Sequence, residues 1–174
     1  NRQLADGATV ETEESVALMK RILDEGEAVI AAIGPLTAVA RLLQERPQAE
    51  NLRALYVMAG RFDDEQAEWN VLQNVEAARY VFTHAPCPIV VSPFEVGAAI
   101  QCGATVTRGP VRKALELYAT REGWKTADGA PTRCAWDPVT VLAAIAPEGF
   151  TFTPFGTVDV DETGVTRFRP GAGK

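Results

Sequence analysis

The 174-residue chain has one histidine, His84, and only three cysteines, Cys87, Cys102 and Cys134, at wide spacings with no C-x-x-C pair. That inventory leaves no basis for a zinc centre built from Cys and His. The three thiols read as small buried apolar residues in a reducing compartment. Long apolar runs are lacking too. The longest uncharged stretch, Tyr80 to Phe94, carries three prolines and falls short of the roughly 20 residues that span a bilayer. Basic excess is absent: 17 Lys and Arg stand against 23 Asp and Glu, for a net charge of −6. Electrostatics therefore gives no reason to expect a nucleic-acid polymer as partner. Glycine (14) and proline (11) are near average usage, which argues against low-complexity linker. No signal-like start is present, and the chain opens on Asn1 rather than Met, which leaves room for an upstream segment. The expectation is a cytoplasmic protein with no membrane partner.

What is present is an ordinary globular composition, 47% apolar and 23% charged. A chain of this length removes about 70% of its unfolded surface from water, enough for one core. Residues 1–174 are thus read as a single α/β domain. Thr12 ahead of Glu13 and Glu14 reads as an N-cap, followed by Val16, Met19, Ile22 and Leu23 at helical spacing and Gly26 as the stop. Ala28 to Ile33 is a continuous apolar run, the pattern of a strand buried on both faces. Thr37 can cap a second helix that ends at Pro47, and Leu52 to Met58 is a second strand. Val75 to Phe82 is helical in pattern, Pro88 to Val91 is a short strand, and Val96 to Ile100 begins a helix. Val111 to Tyr118 and Val139 to Ile145 are helical, the latter after Asp137-Pro138 as N-cap and first-turn proline. Alternating helix and strand implies a mainly parallel, Rossmann-like sheet with helices on both faces. The tail differs, since Phe150 to Val160 and Val165 to Phe168 flank Glu162-Thr163-Gly164, a β-hairpin signal.

In such sheets ligands bind beyond the carboxyl ends of the strands. That directs attention to Gly34–Thr37, Ala59–Asn70 and Ser92–Glu95. Three stretches stand out: A-I-G-P-L-T ending at Thr37, A-E-W-N-V-L-Q-N-V-E-A-A-R-Y-V-F from Ala67 to Phe82, and W-D-P-V-T-V-L from Trp136. With M-A-G at Met58–Gly60, their order and spacing resemble the inosine–uridine-preferring nucleoside hydrolase family. The resemblance runs from about Ala28 to the hairpin, and the ordered set is far more specific than any member alone.

The resemblance implies a nucleoside hydrolase-like fold and calcium-assisted hydrolysis of the N-glycosidic bond of purine or pyrimidine ribonucleosides to base and ribose. Calcium (Ca2+) takes oxygen ligands. By motif match these include the backbone carbonyl of Thr37 and the carboxylate of Asp137. Glu68 and Asn70 would hydrogen-bond the ribose, and Trp136 would stack on the base or close the pocket. The implied assembly is a homo-oligomer, or association with an N-terminal segment outside this sequence.

Plainer readings stand beside these. Asp137 before Pro138 is a good helix N-cap, and capping does not exclude ligation. Glu68 and Asn70 read in isolation as loop polars, Thr37 as a cap, and Asp63-Asp64-Glu65 as a solvated acidic loop. His84 reads as a surface residue at a helix C-terminus, and Trp124 as packing.

The sequence departs from the family pattern in two places. The amino-terminal D-x-D-x-x-x-D-D signature, which supplies the general base and most calcium ligands in the family, is absent, and Asp159-Val160-Asp161 lacks the acid pair that follows. The resemblance therefore implies the carboxy-terminal part of a longer hydrolase domain, with no catalytic base in this chain and incomplete activity alone. Trp136 stands where many members carry a histidine that protonates the leaving base, a role closed to indole. Asn74 and Ala38 are milder departures. The alternatives are a non-catalytic ribosyl- or nucleoside-binding relative and an α/β interaction module.

Overall fold

The elements follow the alternation of apolar runs with helix-spaced apolar residues. The computed structural model describes residues 14–103, 108–125 and 129–171. Helix α1 (Ser15–Glu25) starts on Glu14, whose carboxylate accepts the amides of Val16 and Ala17 at 3.0 and 3.1 Å. The expected cap Thr12 lies outside the described residues. Strands β1 (Ala28–Ala32), β2 (Leu52–Met58) and β3 (Ile89–Ser92) form a parallel sheet in the order β1-β2-β3. Helix α2 (Thr37–Glu45) connects β1 to β2, and α3 (Trp69–Gln73) with α4 (Val75–His84) connects β2 to β3.

Successive residues of β2 point to opposite faces. Leu55 and Val57, both fully buried, join Leu23, Val39, Leu42, Leu43, Ala78 and Val81 of α1, α2 and α4 in the main core. Each such Leu or Val side chain contributes about 1.5–3 kcal/mol relative to exposure. Buried Met58 points the other way and lies outside that cluster. Helix α7 (Trp136–Ile145) packs across all three strands and buries Val139, Thr140 and Ala143 there. The sheet is therefore layered between helices, as the pattern predicts.

After β3 come α5 (Phe94–Ala99), β4 (Gln101–Gly103), α6 (Gly109–Glu122) and β5 (Thr132–Cys134). Strands β4 and β5 pair antiparallel in a short ribbon, with Cys102 opposite Arg133. The tail is the expected hairpin, β6 (Gly156–Val160) with β7 (Thr166–Pro170). Its turn is organised by Asp161, whose Oδ1 accepts from Thr163 N, Thr163 Oγ1 and Val165 N. Arg79 Nε of α4 donates to Val160 O at 3.0 Å, which ties the hairpin to the layer of crossover helices.

The structure corrects several sequence expectations. Among the described residues β1 pairs with β2 alone, and Val29 and Ala31 lie exposed on the face away from the core, so the strand is not buried on both faces. The three cysteines are free but half-buried rather than buried. Thr37 is the first helical residue and not the cap of α2; Leu36 holds the cap position without a side-chain bond. Asp137 is likewise inside α7, which begins at Trp136 behind Ala135. Pro138 fits there because first-turn amides have no intrahelical acceptor to lose. Among the described residues no helix is long and apolar enough to cross a membrane.

Candidate functional site at the strand carboxyl ends

Each sequence-selected residue lies on a segment leaving a strand's carboxyl end or on the first turn of α7, and contacts link these segments in an arc. Thr37 follows β1, and its hydroxyl accepts from Asn74 Nδ2 at 3.1 Å. Asn74 also caps α4, with Oδ1 taking the Ala77 amide at 3.0 Å. One side chain thus fixes the start of α4 against the start of α2. Thr37 opens α2, so its carbonyl belongs to the helical ladder, and a metal would engage the second lone pair.

Glu68, only 4% exposed, caps α3. Its Oε2 accepts the amides of Asn70 and Val71 at 2.9 and 3.2 Å. Burial pushes the carboxyl pKa up, and the surrounding amides pull against it. Asn70 Nδ2 donates to Met58 O at 3.0 Å, pinning the carboxyl end of β2. Its Oδ1 accepts nothing among the described residues and remains available to a hydroxyl.

The arc continues through Gly60. Its carbonyl accepts from Phe94 N at 2.9 Å, and Phe94 O accepts from Trp136 Nε1 at 2.9 Å. The Phe94 and Trp136 rings stack at 5.3 Å, and Trp124 meets the indole edge-on at 6.0 Å. On Gly97 an added Cβ would sit 2.3 Å from Trp136 Cδ1 and 2.6 Å from its Cα, so glycine is required there by close approach. The indole is held by packing and by its N–H, and its partly exposed remainder borders the site.

Beside it, the Asp137 carboxylate makes no hydrogen bond among the described residues. Partial burial raises its pKa, and the charge of Arg133 opposes that. No hydrogen bond joins Asp137 to Thr37 among the described residues. Nor does any group of three or more His, Cys, Asp and Glu there form a metal cage. An unpaired carboxylate oxygen suits a hard cation, so Asp137 fits calcium as one ligand.

The acidic loop is solvent-exposed, as read from sequence, and its charges are paired. Arg61 bridges Asp63 and Asp64 at 3.0 and 2.6 Å and lies over the Phe94 ring at 4.5 Å, and Glu65 pairs with Arg167. His84 is exposed at the end of α4 and stacks on Tyr80. Trp124 packs, as read from sequence. A cavity of about 460 Å³ is lined by Gln101, Trp124 and Thr132.

Sequence reasoning missed Phe94, Asn74's bridging role and Arg133. The N-V-E-A-A segment drew attention to Asn74, but nothing local could show its reach to Thr37. For Arg133, whose partners come from α6, the following loop and α7, no local signal exists.

The model of the inosine-uridine preferring nucleoside hydrolase family matches residues 2–170. The chain belongs to that family. The nucleoside hydrolase fold recurs in solved structures. A purine-preferring ribonucleoside hydrolase from Gardnerella vaginalis superposes with a TM-score of 0.72 at 20% identity, over 93% of this chain and 57% of that one. An inosine-uridine preferring nucleoside hydrolase from Bacillus anthracis gives a TM-score of 0.63 at 20% identity, over 94% of this chain and 59% of that one. The chain thus spans less than two thirds of the length of either relative. No curated protein shows a significant match.

Proposed function

We propose that this chain carries the carboxy-terminal half of a calcium-dependent ribonucleoside hydrolase site, cleaving the N-glycosidic bond to free base and ribose. Family membership supports the reaction class. The single observation that carries the local reading is Asp137, a carboxylate on the first turn of α7 beside Trp136 that makes no hydrogen bond among the described residues. A carboxylate that the fold leaves without donors is available to a cation or to a developing positive charge.

In this reading Asp137 and the Thr37 carbonyl are two of the calcium ligands. A bound calcium would orient a water and the ribose hydroxyls and lower the pKa of that water. The chain's own residues do the rest of the positioning. Asn70 offers Oδ1 to a ribose hydroxyl while Nδ2 holds Met58 O. Glu68 keeps Asn70 in place through its amide and would accept from a ribose hydroxyl. Trp136 closes the base side, with its N–H committed to Phe94 O, and so gives no proton to the leaving base. The remaining ligands and the base that takes the water's proton belong to the part of the relatives that this chain does not span.

The test is calorimetric titration with calcium of residues 1–174 and of the complete gene product. Weak or absent binding by the first and firm binding by the second, weakened by Asp137→Asn, is expected. Tight binding by residues 1–174 alone would mean that the ligand set is misread.

A further inference from the structure

Arg133 holds more hydrogen-bond donors than the described residues use. Its guanidinium carbon lies 4.5 Å from the centre of the Tyr118 ring, 4.7 Å from Trp124 and 5.0 Å from Trp136. Trp124 and Trp136 meet at 78°, so the planar guanidinium can lie flat on at most one of the two indoles, and the N–H groups not turned toward a ring stay free. Among the described residues those donors make no hydrogen bond and no ion pair, and Asp137 acts on Arg133 through charge alone. Other arginines here are spent on carboxylates: Arg46 on Asp24, Arg61 on Asp63 and Asp64, Arg167 on Asp161. Arg133 is instead a planar fork fixed by three rings, partly exposed, touching the indole that borders the site.

A fixed pair of parallel donors matches two acceptors on one edge, the geometry of O6 and N7 on a 6-oxopurine. Adenine places an amino donor at position 6 and opposes such a fork. We propose that Arg133 determines base specificity by donating to O6 and N7 of a hypoxanthine or guanine leaving group. This rests on the nucleoside hydrolase reading above. In the reaction the water oxygen bonds to C1′ while the C1′–N9 bond breaks, and that electron pair passes into the purine. The resulting charge spreads over N9, N7 and O6, where the guanidinium donors meet it. The general base supplied outside this chain takes one proton from the water and passes it to solvent, and the purine takes one from solvent, which balances the hydrolysis without a protein acid at Trp136.

The experiment measures kcat/KM of the complete gene product for inosine, guanosine, adenosine and uridine, in the unsubstituted protein and in Arg133→Met and Arg133→Lys. Binding of free hypoxanthine and adenine is followed in parallel by tryptophan fluorescence. The unsubstituted protein is expected to favour inosine and guanosine over adenosine. Arg133→Met should lower inosine and guanosine cleavage by about 5- to 150-fold more than adenosine cleavage, the range for losing a bidentate base contact. Arg133→Lys keeps the charge and most of the stem but not the fork. It should show most of the same selective loss while retaining the near-ultraviolet circular dichroism of the packed indoles. Equal losses on all four nucleosides, or no loss, would overturn the proposal. If no nucleoside is cleaved at all, the hydrolase reading fails on its own. A hypoxanthine preference that Arg133→Met abolishes would then still support the role of Arg133, and equal binding of the two bases would overturn it.

Discussion

Thr166 and Arg61, 105 residues apart, exchange two hydrogen bonds. The Thr166 hydroxyl accepts from Arg61 N at 2.8 Å and donates to Arg61 O at 3.0 Å. A single buried hydroxyl thereby satisfies both backbone groups of the residue that follows Gly60, and the C-terminal hairpin sets the path of the loop between β2 and α3. That loop delivers Glu68 and Asn70 to the strand ends, so the hairpin supports the site without entering it.

Thr166→Val keeps the shape and removes the hydroxyl. It leaves two part-buried backbone groups without a partner, a loss of about 1–3 kcal/mol for each group that water does not reach. Urea unfolding should show a lower midpoint with an unchanged slope. An unchanged midpoint would mean that the loop finds other partners.

Gly97→Ala is expected to be costly for a different reason. The new methyl would press on the Trp136 backbone, which cannot rotate away as a flexible side chain can. The expected cost is about 1–3 kcal/mol or more. Displacement of the Trp136 ring should appear in near-ultraviolet circular dichroism. Unaltered stability and spectrum would show that α5 and α7 are not in the described contact.

Asp161 gives a pH signature. The Thr163 hydroxyl and, beyond it, Arg167 and the Thr163 and Val165 amides lower its pKa from 3.8 to about 2. Its stabilising effect is therefore present above pH 3.8 and lost as pH falls toward about 2. Asp161→Asn should melt at a lower temperature than the unsubstituted chain at neutral pH, and the gap should close near pH 2. A gap that stays constant with pH would contradict the assigned bonds.

Glu68 has the opposite sign. Burial raises its pKa, so ionisation disfavours the folded state as pH rises through the ordinary carboxylate range. Glu68→Gln keeps an acceptor for the α3 amides and removes that dependence. Glu68→Ala removes the cap as well and should cost about 0.5–2 kcal/mol. If both variants unfold alike at every pH, Glu68 is not acting as a cap.

Much of the architecture is legible in the sequence because buried strands and helix faces leave periodic marks. The three parallel strands, the crossover helices and the hairpin are all of this kind. The exposed face of β1 is not legible, since Ala28–Ile33 reads the same whether that face meets a helix or solvent. The β4–β5 ribbon escapes because three residues per strand cannot show a period of two. Thr37 and Asp137 read as caps by residue type. The actual starts are set by tertiary contacts, with Asn74 on Thr37 and Phe94 O on Trp136. The ordered motifs identify the family and select Glu68, Asn70, Trp136 and Asp137. They are silent on Arg133, whose significance exists only once Tyr118, Trp124 and Trp136 surround it.

The central claim is that Asp137 contributes to a nucleoside-cleaving site. Release of free base from inosine, followed by ultraviolet absorbance in the complete gene product with and without Asp137→Asn, tests it most directly. The substitution removes one charged oxygen while keeping the shape. The account predicts cleavage by the unsubstituted protein and a loss of about 10²-fold or more in kcat/KM on substitution, the scale of removing one electrostatic stabiliser. Equal rates in the two proteins would contradict it.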